Sequence, residues 1–208
     1  MKKLQIKNYS AYPELEDHQV WSALKQNDKN ALKILFERYY YNLYQYAVKF
    51  CGCQDMAEDH IQDLFLRIWE KRRYLSEVTG VKTYLWTALR RSLITAIKKR
   101  ERETINQTEI EKSLSGINFN AEEIITQKEL TAQKQKSLKK ALDQLSNKQK
   151  EVLFLKFYEG MSYGEIEQIM SVSSQTSRNY VYEGLKSLRT ILSVNPSEDI
   201  FPASVHIL

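Results

Sequence analysis

The stretch SYGEIEQIMSVSSQTSRNYVYEGLKSL, residues 162–188, decides the class of fold. Apolar residues recur at helical spacing on both sides of a serine-rich break at residues 171–173, which is the layout of a helix-turn-helix. Ile166 and Ile169 would be buried in the first helix. Ser174 is expected to cap the second helix, because a serine hydroxyl can accept a hydrogen bond from an amide two or three residues further on.

The second helix of this motif has an apolar face and a polar face. Val181, Leu185, Leu188 and Leu192 would form the buried stripe. Side chains that can pair with base edges in a major groove, or meet phosphate, are Gln175, Ser177, Arg178, Asn179, Tyr182 and Lys186. Such residues also occur on ordinary solvated helices, so a structural helical hairpin stays open. DNA binding is the favoured interpretation.

The first half of the chain is a series of amphipathic blocks at residues 19–25, 30–50, 56–72 and 83–103. The predicted apolar stripe of the second block consists of Leu32, Phe36, Tyr39, Leu43, Tyr46 and Phe50. That of the third consists of Ile61, Leu64, Phe65, Ile68 and Trp69. Because the connections between blocks are short, the pattern predicts a helical bundle.

A polar segment separates this bundle from the helix-turn-helix. Residues 106–135 are rich in Asn, Gln, Ser, Thr and Glu, and contain five glutamates against three lysines. We therefore expect an all-α protein of two small helical domains joined by a polar linker, the second ending in the helix-turn-helix. The predicted limits are a tail over 1–18, domains over 19–105 and 136–193, the linker over 106–135, and a C-terminal tail over 194–208.

The composition excludes several classes of protein. The chain has 208 residues, a net charge of +5 and only three prolines, Pro13, Pro196 and Pro202, so a turn-rich β-sandwich is disfavoured. No apolar run approaches the roughly 20 residues of a membrane helix, and the N-terminus lacks the apolar stretch of a signal peptide. These features predict a cytoplasmic protein that does not insert into a membrane.

No motif indicates catalysis, a cofactor or a bound metal. Cys51 and Cys53 are too close for an ordinary disulfide and lack accompanying ligands for zinc, so reduced thiols are expected. His60 lacks a second metal ligand, and neither a nucleophile triad nor a glycine-rich phosphate loop occurs. We expect a protein that is not an enzyme.

Positive charge is concentrated in the fourth block. Between Lys82 and Glu103 seven basic residues face two acidic ones, a local excess equal to the net charge of the whole chain. Tyr84 and Trp86 lie beside this charge, where aromatic rings could stack on unpaired bases. The alternative that both rings belong to the core stays open.

The most informative motif is AEDHIQDLFLRIWEKR, residues 57–72, in which a mixed acidic and amide face lies opposite a strong apolar stripe. Together with YLWTALRRS (84–92) and the block from Leu145 to Arg189, it resembles the extracytoplasmic-function sigma factors of bacterial RNA polymerase. The resemblance extends from about Val20 to Leu192. Two motifs in the right order, joined by a polar linker, are more specific than a helix-turn-helix alone.

The resemblance implies three contact surfaces and the partners core RNA polymerase and promoter DNA. The polymerase clamp would contact Asp59, Gln62, Asp63 and Leu66. The minus-ten element would meet Tyr84, Trp86, Arg90 and Arg91, and the loop over 74–82 would capture a flipped base. The minus-thirty-five element would meet Ser174, Gln175, Ser177 and Arg178, with Tyr182 and Lys186 on the phosphate-facing side.

The resemblance further implies an anti-sigma factor, often membrane-bound in this family, and a linker that follows the RNA exit path. Two positions depart from the usual family pattern: Arg91 follows Arg90, and Ser177 occupies a position where a small apolar residue is common. A promoter sequence therefore cannot be transferred from relatives. Two alternatives stay open: a stand-alone dimeric helix-turn-helix regulator, and a helical adaptor that binds no DNA.

Overall fold

The computed structural model describes residues 15–104 and 140–192, and every element of regular structure within these ranges is a helix. This confirms the predicted all-α class. The chain divides into two compact units, Met1–Arg100 and Glu101–Leu208. The predicted linker over 106–135 and the tail over 194–208 lie outside the described residues, as does most of the predicted N-terminal tail.

The first unit contains four helices: α1 (Asp17–Lys25), α2 (Lys29–Cys51), α3 (Gln54–Lys71) and α4 (Val81–Thr104). Helix α1 begins two residues before the predicted domain limit because Glu16 and Gln19 form a reciprocal capping box. Asp28 caps α2 by accepting from the Asn30 amide. Gly52 ends α2 in the left-handed conformation, with φ of 66°.

Helix α1 is fixed to α2 by a polar cluster as well as by apolar packing. The Asp17 carboxylate accepts from the Arg38 guanidinium at 2.8 Å and from the Tyr39 hydroxyl. Burial and the neighbouring Asp17 carboxylate both raise the pKa of Tyr39, which therefore stays protonated as a donor. The cluster ties the start of α1 to the middle of α2.

The core of the first unit corrects the predicted stripe of α2. Leu43, Tyr46 and Phe50 are buried as expected, but Leu32, Phe36 and Tyr39 are only partly buried. Ala31, Ile34, Leu35 and Ala47 are buried instead. The physical reason is that α2 packs against both α1 and α3, so its buried surface is wider than a single stripe and is rotated in the first turns.

The predicted stripe of α3 is confirmed for four of its five members. Ile61, Leu64, Phe65 and Ile68 are buried. Trp69 is partly exposed, and the Arg72 guanidinium lies 3.9 Å from the centroid of its ring. The indole therefore covers the end of the helix instead of filling the core.

In the second unit a helical segment ends at residue 143, followed by α5 (Asn147–Leu153), which continues as a π-helical turn over Phe154–Tyr158. The helix-turn-helix consists of α6 (Tyr163–Met170) and α7 (Ser174–Leu192). Ser146 with Gln149 and Ser162 with Glu165 form capping boxes at the starts of α5 and α6.

The turn of the helix-turn-helix is confirmed, and one of its details is corrected. Ser171 has φ of 54°, the left-handed conformation that ends α6. The cap of α7 is Ser173, because its hydroxyl accepts from the Thr176 amide at 3.0 Å. Ser174 is the first residue of the helix itself. The predicted cap was therefore one residue too late, because the helix already includes Ser174.

Gly184 explains how closely α7 approaches α5. A Cβ atom at this position would lie 3.1 Å from Leu153 Cδ1 and 3.7 Å from Gln149 Cβ. The two helices are therefore in contact through a position without a side chain. This requirement is invisible in the sequence, where Gly184 is a helix-weakening residue in the middle of an amphipathic pattern.

We predict that Gly184→Val lowers the free energy of unfolding by about 1–3 kcal/mol, the usual cost of overpacking a helix contact. The matched control is Gly164→Val, because a Cβ atom on that helical glycine meets no atom within 4 Å. Thermal unfolding of the full chain, followed by circular dichroism, measures both. Equal transitions for the two variants would contradict the close contact.

Candidate nucleic-acid and partner interfaces

The outer face of α3 brings together four side chains that the sequence singled out. Asp59, Gln62, Asp63 and Leu66 are all exposed, on the side opposite the buried stripe of the helix. Leu66 is 55% exposed and is the apolar member of this otherwise polar face. We call these four residues the α3 outer face. It combines an apolar centre with acceptors, as protein interfaces do.

The acidic side chains of the α3 outer face are accessible to a partner. Asp63 Oδ2 lies 3.5 Å from Arg67 Nη2, in an exposed i,i+4 pair that contributes little to stability. His60 turns away from this face, and its Nδ1 lies 2.7 Å from Ser92 Oγ of α4. His60 thus links two helices. The described residues contain no group of His, Cys, Asp and Glu that could hold a metal ion.

The two aromatic residues of helix α4 differ in burial, and the prediction that Trp86 belongs to the DNA surface is wrong. Trp86 is fully buried, with its ring edge-on to Tyr39 at 5.9 Å. Its ring cannot stack on a base in this structure. Tyr84 is half-buried against the Trp21 ring at 5.0 Å, and burial raises the pKa of its hydroxyl.

The two arginines of α4 are more accessible than its aromatic rings. Arg91 is exposed, whereas Arg90 is partly buried with its guanidinium 5.7 Å from the centroid of the Phe50 ring. Further along the same helix, Lys98, Lys99 and Arg100 are exposed. The helix therefore presents positive charge to solvent over several turns, as an electrostatic surface for phosphate requires.

The connection between α3 and α4, residues 72–80, presents a residue that the sequence did not distinguish from its neighbours. Tyr74 is 90% exposed, the most exposed large apolar side chain among the described residues. The sequence predicted a loop over 74–82, whereas the structure places it over 72–80 because α4 begins at Val81. No periodicity applies to a loop, so the sequence could not show which ring faces solvent. An exposed ring beside the exposed Arg73 provides a surface for an unpaired base.

Helix α7 places most of its predicted DNA-facing residues on the surface. Gln175, Arg178, Tyr182 and Lys186 are exposed, and Ser174 is partly exposed. Ser177 is a correction, because it is fully buried and its hydroxyl donates to the Ser173 carbonyl. Its place among Gln175, Arg178 and Asn179 in sequence suggested exposure, but the helical turn directs its side chain into the interior of the second unit.

Two polar residues on α7 are held in defined positions. Gln175 Nε2 donates to Asn179 Oδ1 at 3.0 Å. The Arg178 guanidinium lies 5.2 Å from the centroid of the Tyr163 ring, and Lys156 Nζ lies 4.7 Å from the same ring. Tyr163 is thus a residue that the sequence analysis missed. It contacts two cations, one of which is the arginine expected to meet bases.

No helix within the described ranges is sufficiently long and apolar to cross a bilayer.

Comparison with known families gives matches in both units. The family Sigma-70 region 2 matches residues 35–103, and the family Sigma-70, region 4 matches residues 135–188. Together the two matches cover more than half of the chain. The first includes the α3 outer face and the loop over 72–80, and the second includes the whole turn of the helix-turn-helix.

Similar curated proteins cover most of the chain. The ECF RNA polymerase sigma factor SigX of Bacillus subtilis is 24% identical over 77% of this chain and 83% of its own length. The RNA polymerase sigma factor SigV of the same organism is 22% identical over 81% of this chain and 95% of its own length.

Two solved structures are similar in fold. The sigma factor RpoE of Bartonella quintana, in complex with the anti-sigma factor NepR, has a TM-score of 0.59 and 26% identity, covering 78% of this chain and 97% of that one. CnrH, in complex with the cytosolic domain of CnrY, has a TM-score of 0.57 and 16% identity, covering 86% and 98%.

Both characteristic regions occur in their family order, on the two units that the structure describes, and the relatives match along most of their own length. The chain belongs to the extracytoplasmic-function sigma factors of the sigma-70 family.

Proposed function

We propose that this sigma factor binds core RNA polymerase through the α3 outer face and directs it to promoters that its two units recognise. The observation that carries this proposal is the exposure of Asp59, Gln62, Asp63 and Leu66 together on one face within the region 2 match. We further propose that the polymerase-binding and minus-ten-binding domain spans residues 19–105 and the minus-thirty-five-binding domain residues 136–193.

The α3 outer face suits the coiled coil of the largest polymerase subunit. A buried apolar anchor surrounded by polar contacts contributes most of the binding energy in many interfaces, and Leu66 provides such an anchor. Asp59 and Asp63 would pair with basic side chains and set the orientation of the complex. A dimer interface would be more apolar, so this face favours a polymerase partner over the alternative of a dimeric regulator.

The minus-ten element would contact the exposed cations of α4 and the loop over 72–80. Extruding a base costs a few kcal/mol, and a stacking surface with nearby positive charge offsets part of this cost. Tyr74 and Arg91 are exposed and could contact the extruded base and its phosphates. Tyr84 and Arg90 are partly exposed and could add to this surface. Trp86 would act from the core by supporting α4.

The minus-thirty-five element would receive α7 in its major groove. Arg178 has the geometry to pair with guanine, and Gln175 to pair with adenine. Lys186 and Tyr182 lie further along the exposed side, where phosphate contacts would fix the position of the helix. Ser174, in the first turn of α7, would contact the DNA backbone. The buried Ser177 would stabilise the start of the helix through its hydrogen bond to the Ser173 carbonyl.

Regulation by an anti-sigma factor follows by analogy. RpoE of Bartonella quintana is described in complex with an anti-sigma factor. We propose that a similar inhibitor binds this chain and competes with polymerase for the exposed surfaces of the first unit.

We predict that Asp63→Arg raises the Kd for core RNA polymerase by about tenfold or more, because it places like charges opposite each other. The matched control is Glu37→Arg on α2. Glu37 forms an i,i+4 pair with Lys33 at 3.6 Å and is exposed to a similar degree, 51% against 55% for Asp63.

Gel filtration with core polymerase and a fluorescence titration measure the effect. Equal affinity of Asp63→Arg and wild-type protein would remove this carboxylate from the interface. Tight binding of the isolated protein to a palindrome, without any binding to polymerase, would instead support the dimeric regulator.

We predict that Arg178→Ala weakens discrimination at one base pair of the upstream element by about 1–3 kcal/mol, the value of a bidentate base contact. Lys186→Ala should instead weaken binding to all sequences alike and reduce the salt slope by about one. Holoenzyme binding to a promoter library, at two salt concentrations, separates these effects. Uniform weakening by Arg178→Ala would show that this arginine contacts phosphate only.

A further inference from the structure

A side chain of helix α1 forms a hydrogen bond to the backbone of the loop over 72–80. The Trp21 indole Nε1 donates to the Ser76 carbonyl at 3.1 Å, and the Trp21 side chain is fully buried. The same ring packs edge-on against Tyr84 of α4 at 5.0 Å. One residue of α1 thus contacts both the loop and the helix that follows it.

Two polar contacts join the same elements at the surface. Lys25 Nζ of α1 lies 2.5 Å from Glu77 Oε1 of the loop. Arg72 Nε donates at 2.5 Å to the side-chain oxygen of Asn27, the residue between α1 and α2 that has φ of 78°. Arg72 also donates to the Trp69 carbonyl and covers the Trp69 ring. The loop is therefore fixed at its start and at its middle.

All three contacts join the loop to residues that lie far from it in sequence. Residues 75–80 have no regular secondary structure, so their conformation depends on contacts from outside the segment. Helix α1 ends at Lys25 and lies before the region 2 match, which begins at residue 35. The part of the chain that holds the loop is thus separate from the part by which the family is identified.

We propose that Trp21 and Asn27 are positioning residues that hold the loop over 72–80 in the conformation that captures an unpaired promoter base. This inference rests on the proposed function of the loop. A loop that is already ordered loses less conformational entropy when a base binds. Removal of the contacts from Trp21 and Asn27 should therefore slow strand opening. Polymerase binding depends on the α3 outer face and does not require the loop to be held.

Two substitutions each remove one hydrogen bond to the loop and place a sterically compatible residue at the position. Trp21→Phe keeps an aromatic ring in the core but removes the donor to Ser76. Asn27→Gly removes the acceptor from Arg72, and glycine readily adopts the positive φ of this position. Both variants are assembled with core polymerase and mixed with a promoter carrying a fluorescent base analogue in the melted segment. Affinity for polymerase is measured in parallel.

The Lys25–Glu77 ion pair, in which the Lys25 side chain is 19% exposed and the Glu77 side chain 66% exposed, provides a second test by charge reversal. Lys25→Glu and Glu77→Lys should each slow opening, and the double variant, which restores the pair with reversed charges, should recover most of the wild-type rate. Recovery would exclude a direct contact between Lys25 and DNA. The matched control reverses the Lys33–Glu37 pair of α2, which is distant in sequence from the loop.

We expect Trp21→Phe and Asn27→Gly to open the promoter about fivefold to tenfold more slowly, with unchanged affinity for polymerase. Opening at the wild-type rate by both variants, or equal losses in affinity and opening, would overturn the positioning role. If wild-type protein neither binds polymerase nor opens a promoter, the proposed function fails instead, so the two failures are distinguishable.

Discussion

The buried Trp21 side chain, packed edge-to-face against Tyr84, is the contact that joins the first helix, the last helix and the loop between α3 and α4 in the first unit. Trp21 is fully buried, so this contact sits where water is absent and where its Nε1 group needs an acceptor. The acceptor is the Ser76 carbonyl of the loop. A single indole therefore links the first helix, the last helix and an irregular connection, and fixes which side of that connection faces solvent.

The proposed contact surfaces consist of residues that stay exposed once this core has formed. Burial of Ile61, Leu64 and Phe65 on one side of α3 leaves Asp63 and Leu66 on the other. In the second unit the contact at Gly184 similarly fixes the side of α7 that faces α5. The two helices could not approach as closely if residue 184 carried a Cβ atom. Each of these two proposed interfaces is thus the exposed side of a helix whose other side is packed in the core.

Strong apolar periodicity predicted burial correctly for most of the α3 stripe. Predictions were wrong where a residue next to polar or basic neighbours could belong either to the core or to a DNA-facing surface. Four of the five residues predicted to be buried in α3 are buried, and its outer face is exposed as the spacing predicted. Trp86 and Ser177 were placed on DNA surfaces because their neighbours are polar or basic, yet both are buried. A residue beside a functional side chain in sequence points in another direction on a helix, and only packing shows which direction that is.

The sequence by itself determined the all-α class, the helix-turn-helix, the acidic face of α3 and the family, because these depend on local periodicity and on motif order. Tertiary structure alone decided the support of the loop by Trp21 and Asn27, the exposure of Tyr74 and the contact of Tyr163 with Arg178. These contacts join residues of different helices or loops. Their geometry depends on how whole helices pack, which no local pattern encodes.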